Sequence, residues 1–206
     1  MSVNLSCFQG GDRERWRLVA NGASPRPHAT HPDKWIEKIN KAGYAIRTGG
    51  MVFPRETDLN PGLWYYRFIG TAAYSQGLAE SGVAQAVFGG WWVEYETMMQ
   101  IVRFAREHGD LLYDTAAYFL ALPDEWGDRG RLARAMLVKP IRAWRGNGKP
   151  AQSPSGTWIP PQHMKEVYQS FLPGDPALRA SAFALVKTSE DIIYTRDFEQ
   201  VGWFAR

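Results

Sequence analysis

Ala86–Ala105 reads AVFGGWWVEYETMMQIVRFA: an apolar run, a Gly-Gly-Trp-Trp corner, and then an abrupt change of rhythm. Up to Val93 the pattern suits a strand bent at Gly89 and Gly90. Beyond it, Met98, Ile101, Val102 and Ala105 fall at the spacing of an amphipathic helix, which Gly109 stops. A strand feeding directly into a helix sets the class of fold. Two indoles directly after two residues without side chains fill a core unevenly but make a flat wall beside a gap. The corner is therefore either a packing device or the floor of a ligand site. Strand neighbours face opposite ways, so at least one of Trp91 and Trp92 belongs to the core.

Working outward, LWYYRFIG (Leu63–Gly70) is aromatic and β-rich and reads as a central strand, followed by a weak helix or a structured loop in TAAYSQGLAESG. Asp110 is placed to cap a second helix, LLYDTAAYFLAL, which Pro123 ends. Ala135–Val138 reads as a buried strand, and Ile141–Trp144, after Pro140, as an edge strand or bent continuation. A Pro- and Gly-rich stretch from Gly146 to Pro161 reads as a long functional loop. The strand KEVYQSFLP follows, then a helix PALRASAFALV and terminal strands DIIYT and QVGWFAR. On the N-terminal side, ERWRLVA (Glu14–Ala20) reads as a strand and NGASPRPH as a loop. A Thr30-capped helix over THPDKWIEKINKAGY stops at Gly43. YAIRT and MVF form a hairpin around Thr48–Gly50, and PRETDLNPG is a loop. Strands and helices alternate irregularly, which indicates an α+β fold in one domain spanning residues 1–206.

Composition narrows the classes. Hydrophobic residues make up 45% and charged residues 22% of 206, so the chain can bury a core and fold. A formal charge of +3 is too small to name nucleic acid as a partner. Cys7 is the only cysteine and cannot form an internal disulfide. The N-terminus lacks a basic-then-apolar signal layout, and no run reaches the roughly 18 apolar residues of a membrane span. The expectation is a soluble protein, cytoplasmic at synthesis and without a membrane partner, with export that needs no cleaved signal peptide left open. There is no Walker loop, no GxGxxG after a strand, no GxSxG elbow and no HExxH. His28 and His31 lack a further His or Cys pair, so no metal site is expected.

What remains is an ordered set: Arg67 on an aromatic strand, the double-Trp corner before a helix, and Gln169 on a late strand after a Gly/Pro-rich loop. That order resembles the ADP-ribosyltransferase-like family, in which NAD lies across the cleft of a split β-sheet. The resemblance implies an α+β domain with a split mixed or antiparallel sheet flanked by helices, and NAD as substrate. Arg67, in WYYRFIG beside Tyr66, matches the arginine that fixes the NAD. GGWWVEYETMMQIVRFA matches the strand that runs into a helix. EVYQSFLP, with Glu166 and Gln169, matches the catalytic strand. Val93 and Glu94 stand where the family has hydroxyls, and no ExE or QxE surrounds Gln169. The implied activity is that of a toxin or effector that modifies a macromolecular target or hydrolyses NAD, with a cognate inhibitor protein as a further partner.

The residue types suit that chemistry. Two phosphates need a cation with several fixed donors, which Arg67 supplies better than a lysine would. A nicotinamide ring needs an aromatic wall, which Trp91 or Trp92 offers. Breaking the glycosidic bond builds oxocarbenium character, for which Glu166 or Glu94 is the carboxylate. This reading requires Arg67 and Gln169 to point to the same face of the sheet, within the reach of one dinucleotide. Two rival classes stand beside it. One is a nucleic-acid module using Arg129, Arg131, Arg134, Lys139, Arg142, Arg145 and Lys149, with Trp144 or Trp158 as stacking platforms. The other is a non-catalytic interaction protein whose Trp-rich cleft is a protein interface.

Overall fold

The computed structural model describes residues 1–80, 87–123, 127–153, 155–159 and 167–205, with 76–80 as helical backbone only. The N-terminal part departs most from sequence expectation. Gly10–Ala20 is a helix, α1, although Trp16, Leu18 and Ala20 alternate as they would on a strand. Ion pairs one turn apart, Arg17 with Glu14 and Arg15 with Asp12, hold its outer side. The Thr30-capped helix does not form. Its place is taken by a short hairpin of β1 (Pro25–Pro27) and β2 (Trp35–Glu37), with Arg15 stacked between Trp16 and Trp35. Long-range packing onto α1 outweighs the local capping signals there.

The main sheet begins with β3 (Met51–Leu59), a nine-residue strand that absorbs most of the stretch read as a loop. It continues with β4 (Trp64–Ile69), helix α2 (Thr71–Glu80) and β5 (Trp91–Glu94). Helix α3 (Tyr95–His108) follows without a gap, buries Thr97, Met98, Ile101, Val102 and Ala105, and ends at Gly109 in the left-handed region. Helix α4 (Leu112–Leu120) comes next, with Leu111 rather than Asp110 at its N-cap. Then come β6 (Arg131–Met136), β7 (Ile141–Gly148), the small hairpin β8 (Ala151–Gln152) and β9 (Trp158–Ile159), and β10 (Tyr168–Phe171). Two short helices, α5 (Pro176–Ala180) and α6 (Thr188–Asp191), precede β11 (Ile192–Tyr194). A 3-10 helix at Thr195–Gln200 follows, and the segment from Gln200 read as a terminal strand forms none over its described residues 201–205, where Trp203 and Phe204 pack against Tyr66.

The seven long-range strands lie in the order β11-β6-β4-β5-β10-β7-β3, every neighbouring pair antiparallel. Ile141–Gly148 is therefore interior, between β10 and β3, and not an edge. The fold is α+β with a large antiparallel sheet. Strand β5 divides it. Its first half, Trp91 and Trp92, pairs with Phe171 and Ser170 of β10, while its second half, Val93 and Glu94, pairs with Tyr66 and Tyr65 of β4. Beyond Tyr66 the ladder between β4 and β5 stops, and the two strands part. Among the described residues no helix is long and apolar enough to cross a membrane.

Candidate functional site

Where β4 and β5 part, a cavity of about 380 Å³ opens on one face of the sheet. That volume falls within the range of about 300–1,000 Å³ usual for small-molecule sites. Register assigns the faces. Tyr66 lies opposite Val93, and Phe171 opposite Trp91, so Tyr66, Phe68, Trp91, Val93, Gln169 and Phe171 share the cavity face. The end of α1 and the turns after it close one side with Val19, Gly22, Ala23, Thr48 and Gly50. Leu120–Pro123, Gly127 and Arg129 close the other. The lining is mostly apolar, with a few fixed polar groups.

The two tryptophans separate as strand alternation requires. Trp91 is half-buried, packs its ring 5.0 Å from that of Phe171 and lines the cavity. Trp92 is 1% exposed, stacks on Phe183 and donates its indole N–H to the Gly89 carbonyl at 2.8 Å. Tyr66 is a core residue whose phenol burial pushes up to about 12. Gln169 is buried and donates its amide N–H to the Leu120 carbonyl at 3.1 Å, so it tethers the opposite wall. Glu166 lies outside the described residues. Glu94 faces away from the cavity, held by both Nε and Nη2 of Arg145 and by the Ser170 hydroxyl. Among the described residues lining the cavity there is no carboxylate.

Arg67 corrects one expectation. Its register partner is Ala133, on the face of Trp92, so its Cα–Cβ bond and that of Gln169 leave the sheet on opposite faces. Both nevertheless line the same cavity, because the Arg67 guanidinium occupies the gap between the parting strands. There its Nη1 donates to the Trp91 carbonyl at 2.8 Å, in place of the absent ladder bond. Gly89 makes the room: a Cβ at that position would stand 2.0 Å from Nη2 of Arg67. The Nε of Arg67 is buried with no hydrogen-bond partner. Desolvation, reinforced by the nearby positive Arg179, lowers the Arg67 pKa to about 10. Arg179 spends its donors on the carbonyls of Phe88, Leu172 and Gly174. Among the described residues neither arginine has a carboxylate within ion-pair distance. The Arg67 guanidinium, largely desolvated and without a counter-ion among the described residues, is costly to hold, and an anion in the cavity would relieve it.

Arg129, which no local sequence pattern marks as a cavity residue, lines the cavity as well. It is buried, adopts φ 51°, and donates to the carbonyls of Tyr113, Leu122, Pro123 and Gly127, which fixes the wall. Its sequence signal is GDRG, a bulky residue between glycines in a tight turn. No known protein family matches this chain, and neither does any curated protein.

Proposed function

We propose that this chain is an ADP-ribosyltransferase-like domain that binds NAD in the cleft between β4, β5 and β10. The observation that carries the reading is the uncompensated guanidinium of Arg67 at the floor of a largely apolar cavity, beside the half-buried ring of Trp91. A dinucleotide joins the two features such a site asks for: phosphates for the cation and a flat ring for the indole. The adjacency of the three strands singled out in sequence, with the sheet split between them, gives further support.

The chemistry beyond binding is limited by Gln169. An amide can hydrogen-bond a ribose hydroxyl but cannot neutralise the positive charge that grows as the nicotinamide leaves. Cleavage therefore falls to Glu166, three residues upstream, with a macromolecular acceptor or water receiving the ADP-ribosyl group. Most of the arginines on which the rival nucleic-acid reading rests are engaged within the fold. Arg134 pairs with Asp191, Arg142 with Asp58 and Glu56, and Arg145 with Glu94; Arg129 serves carbonyls, and Trp144 is 2% exposed. These side chains do not form one free basic face.

Titration with NAD should quench tryptophan fluorescence, with calorimetry giving one site per chain. ADP-ribose should bind more weakly because it lacks the ring. No quenching and no heat up to millimolar NAD would end this reading. Release of nicotinamide on incubation, lost in Glu166→Gln with binding retained, distinguishes an enzyme from a binding domain.

A further inference from the structure

Thr48 and Gly50, on the cavity rim, belong to a corner with an unusual surface. Residues 38–46 form a small loop, tied by the Ile46 N–H to the Lys38 carbonyl and by an Ile39–Ala45 bridge. The hydroxyl of Thr48 donates to the Gln152 carbonyl and accepts from the Gln152 N–H, which joins this loop to the β8–β9 hairpin. Val52, next in the same corner, pairs with Asn147. Apolar side chains project from all three pieces into solvent: Ile39 and Ile46, Tyr44 at 72% exposed, Trp158, and Phe53 at 84%.

Phe53 is the second, independent observation. It lies in the bulge where the β3–β7 register shifts, has φ 45°, and precedes Pro54. A bulky residue in the left-handed region is strained, and a bulge can re-aim a side chain. Here the strain holds an aromatic ring out in water. Charge completes the pattern. Residues 24–48 carry Arg26, Lys34, Lys38, Lys41 and Arg47 against Asp33 and Glu37, a local +3 that equals the formal charge of the whole chain. Arg47 is held by Glu37, while Lys34, Lys38 and Lys41 are exposed and have no carboxylate within ion-pair distance among the described residues.

We propose that this corner, formed by the 38–46 loop, the Phe53 bulge and Trp158, docks an acidic protein segment that carries apolar side chains, and that this segment belongs to the acceptor presented to the cleft. The word acceptor rests on the NAD reading; the docking surface does not. A protein partner fits better than nucleic acid or a lipid surface. Three free lysines are few for phosphate-dominated binding or for an anionic bilayer, which draws on clusters of about four to eight basic residues. The exposed side chains are apolar, with Ile39 and Ile46 beside the three rings, and basic residues surround them, as at a protein interface with a charged rim.

The test is fluorescence anisotropy with a labelled twelve-residue peptide alternating Asp or Glu with Leu, and three comparison probes. These are the same peptide with Lys for each acid, oligodeoxythymidine, and phosphatidylserine vesicles. The acidic peptide should bind and the lysine peptide should not. Lys38→Glu with Lys41→Glu should weaken binding about tenfold, as should Tyr44→Ser with Phe53→Ser, each equivalent to about 1.4 kcal/mol. All four substitutions are at exposed positions, and circular dichroism checks the fold. NAD quenching should be unchanged in these variants. Peptide binding without NAD binding would leave the surface standing and remove the nucleotide reading. No peptide binding, equal binding of the lysine peptide, stronger binding of the oligonucleotide or vesicles, or no effect of either double variant overturns the proposal.

Discussion

Trp91 and Trp92 are adjacent in sequence and differ in every physical respect that matters. Trp92 is enclosed by Phe88 and Phe183 with its indole N–H satisfied, so Trp92→Ala should cost about 3–5 kcal/mol and threaten the fold. Trp91 touches Phe171 on one side and the cavity on the other. Its replacement by Ala should cost about 1–2 kcal/mol and abolish quenching by NAD. Urea titration of the two variants, followed by circular dichroism, makes the comparison; equal destabilisation would return the corner to a packing role. Arg67 makes the opposite trade. Its largely desolvated charge has no counter-ion among the described residues, so Arg67→Met should remove NAD binding while raising the thermal midpoint, about 2–4 °C for each kcal/mol of relieved desolvation. A lower midpoint in Arg67→Met would mean that the bond to the Trp91 carbonyl outweighs the buried charge.

At the scale of elements, Gly89 decides whether the strand-to-helix corner can hold its arginine. Gly89→Ala drives a Cβ into the Arg67 guanidinium. The side chain can give way because its far end is flexible, so the expected result is a modest loss of stability and a large loss of NAD affinity, measured by denaturation and calorimetry. An unchanged affinity would detach Arg67 from the ligand. The elements around this corner were legible in sequence because their signals are local and strong. Examples are the period-3.6 run of α3 with Gly109 behind it, the aromatic β4, and the strand at Gln169. The N-terminal elements were not. Trp16, Leu18 and Ala20 alternate as in a strand, yet the helix wins through i,i+3 ion pairs and contacts to β1 and β2. Thr30, Asp33 and Gly43 spell helix ends, but the segment between them pairs with Pro25–Pro27 instead. The opposite-face origin of Arg67 and the wall held by Arg129 depend on register and on contacts distant in sequence, which no local pattern encodes.

For the whole molecule, alkali tests whether the two tyrosines of β4 anchor both faces of the sheet as their burial implies. Tyr65 packs with Phe183 on one face and Tyr66 with Phe204 on the other, each 2% exposed. Burial is the main cause that raises both phenols above the usual value of 10, Tyr66 to about 12 and Tyr65 further, with Glu94 adding to the shift at Tyr65. In the folded state both stay neutral where the unfolded chain would already ionise. Their contribution is thus fully present below about pH 10 and is lost as pH climbs through the folded values. For Tyr66 alone the loss amounts to about 2–3 kcal/mol. Arg67 acts with the opposite sign. Its folded pKa of about 10 lies below the ordinary 12.5, so its destabilising charge is present below pH 10 and is relieved above it. Two phenols outweigh one guanidinium, and stability should fall from pH 10 to 12. Urea midpoints across that window should decline steeply in the wild type, less in Tyr66→Phe, and more in Arg67→Met, which has no charge left to relieve. A profile that rises across this window, as Arg67 alone would give, would mean that the phenols reach water, and that β4 is less tightly enclosed between its two layers than its packing indicates.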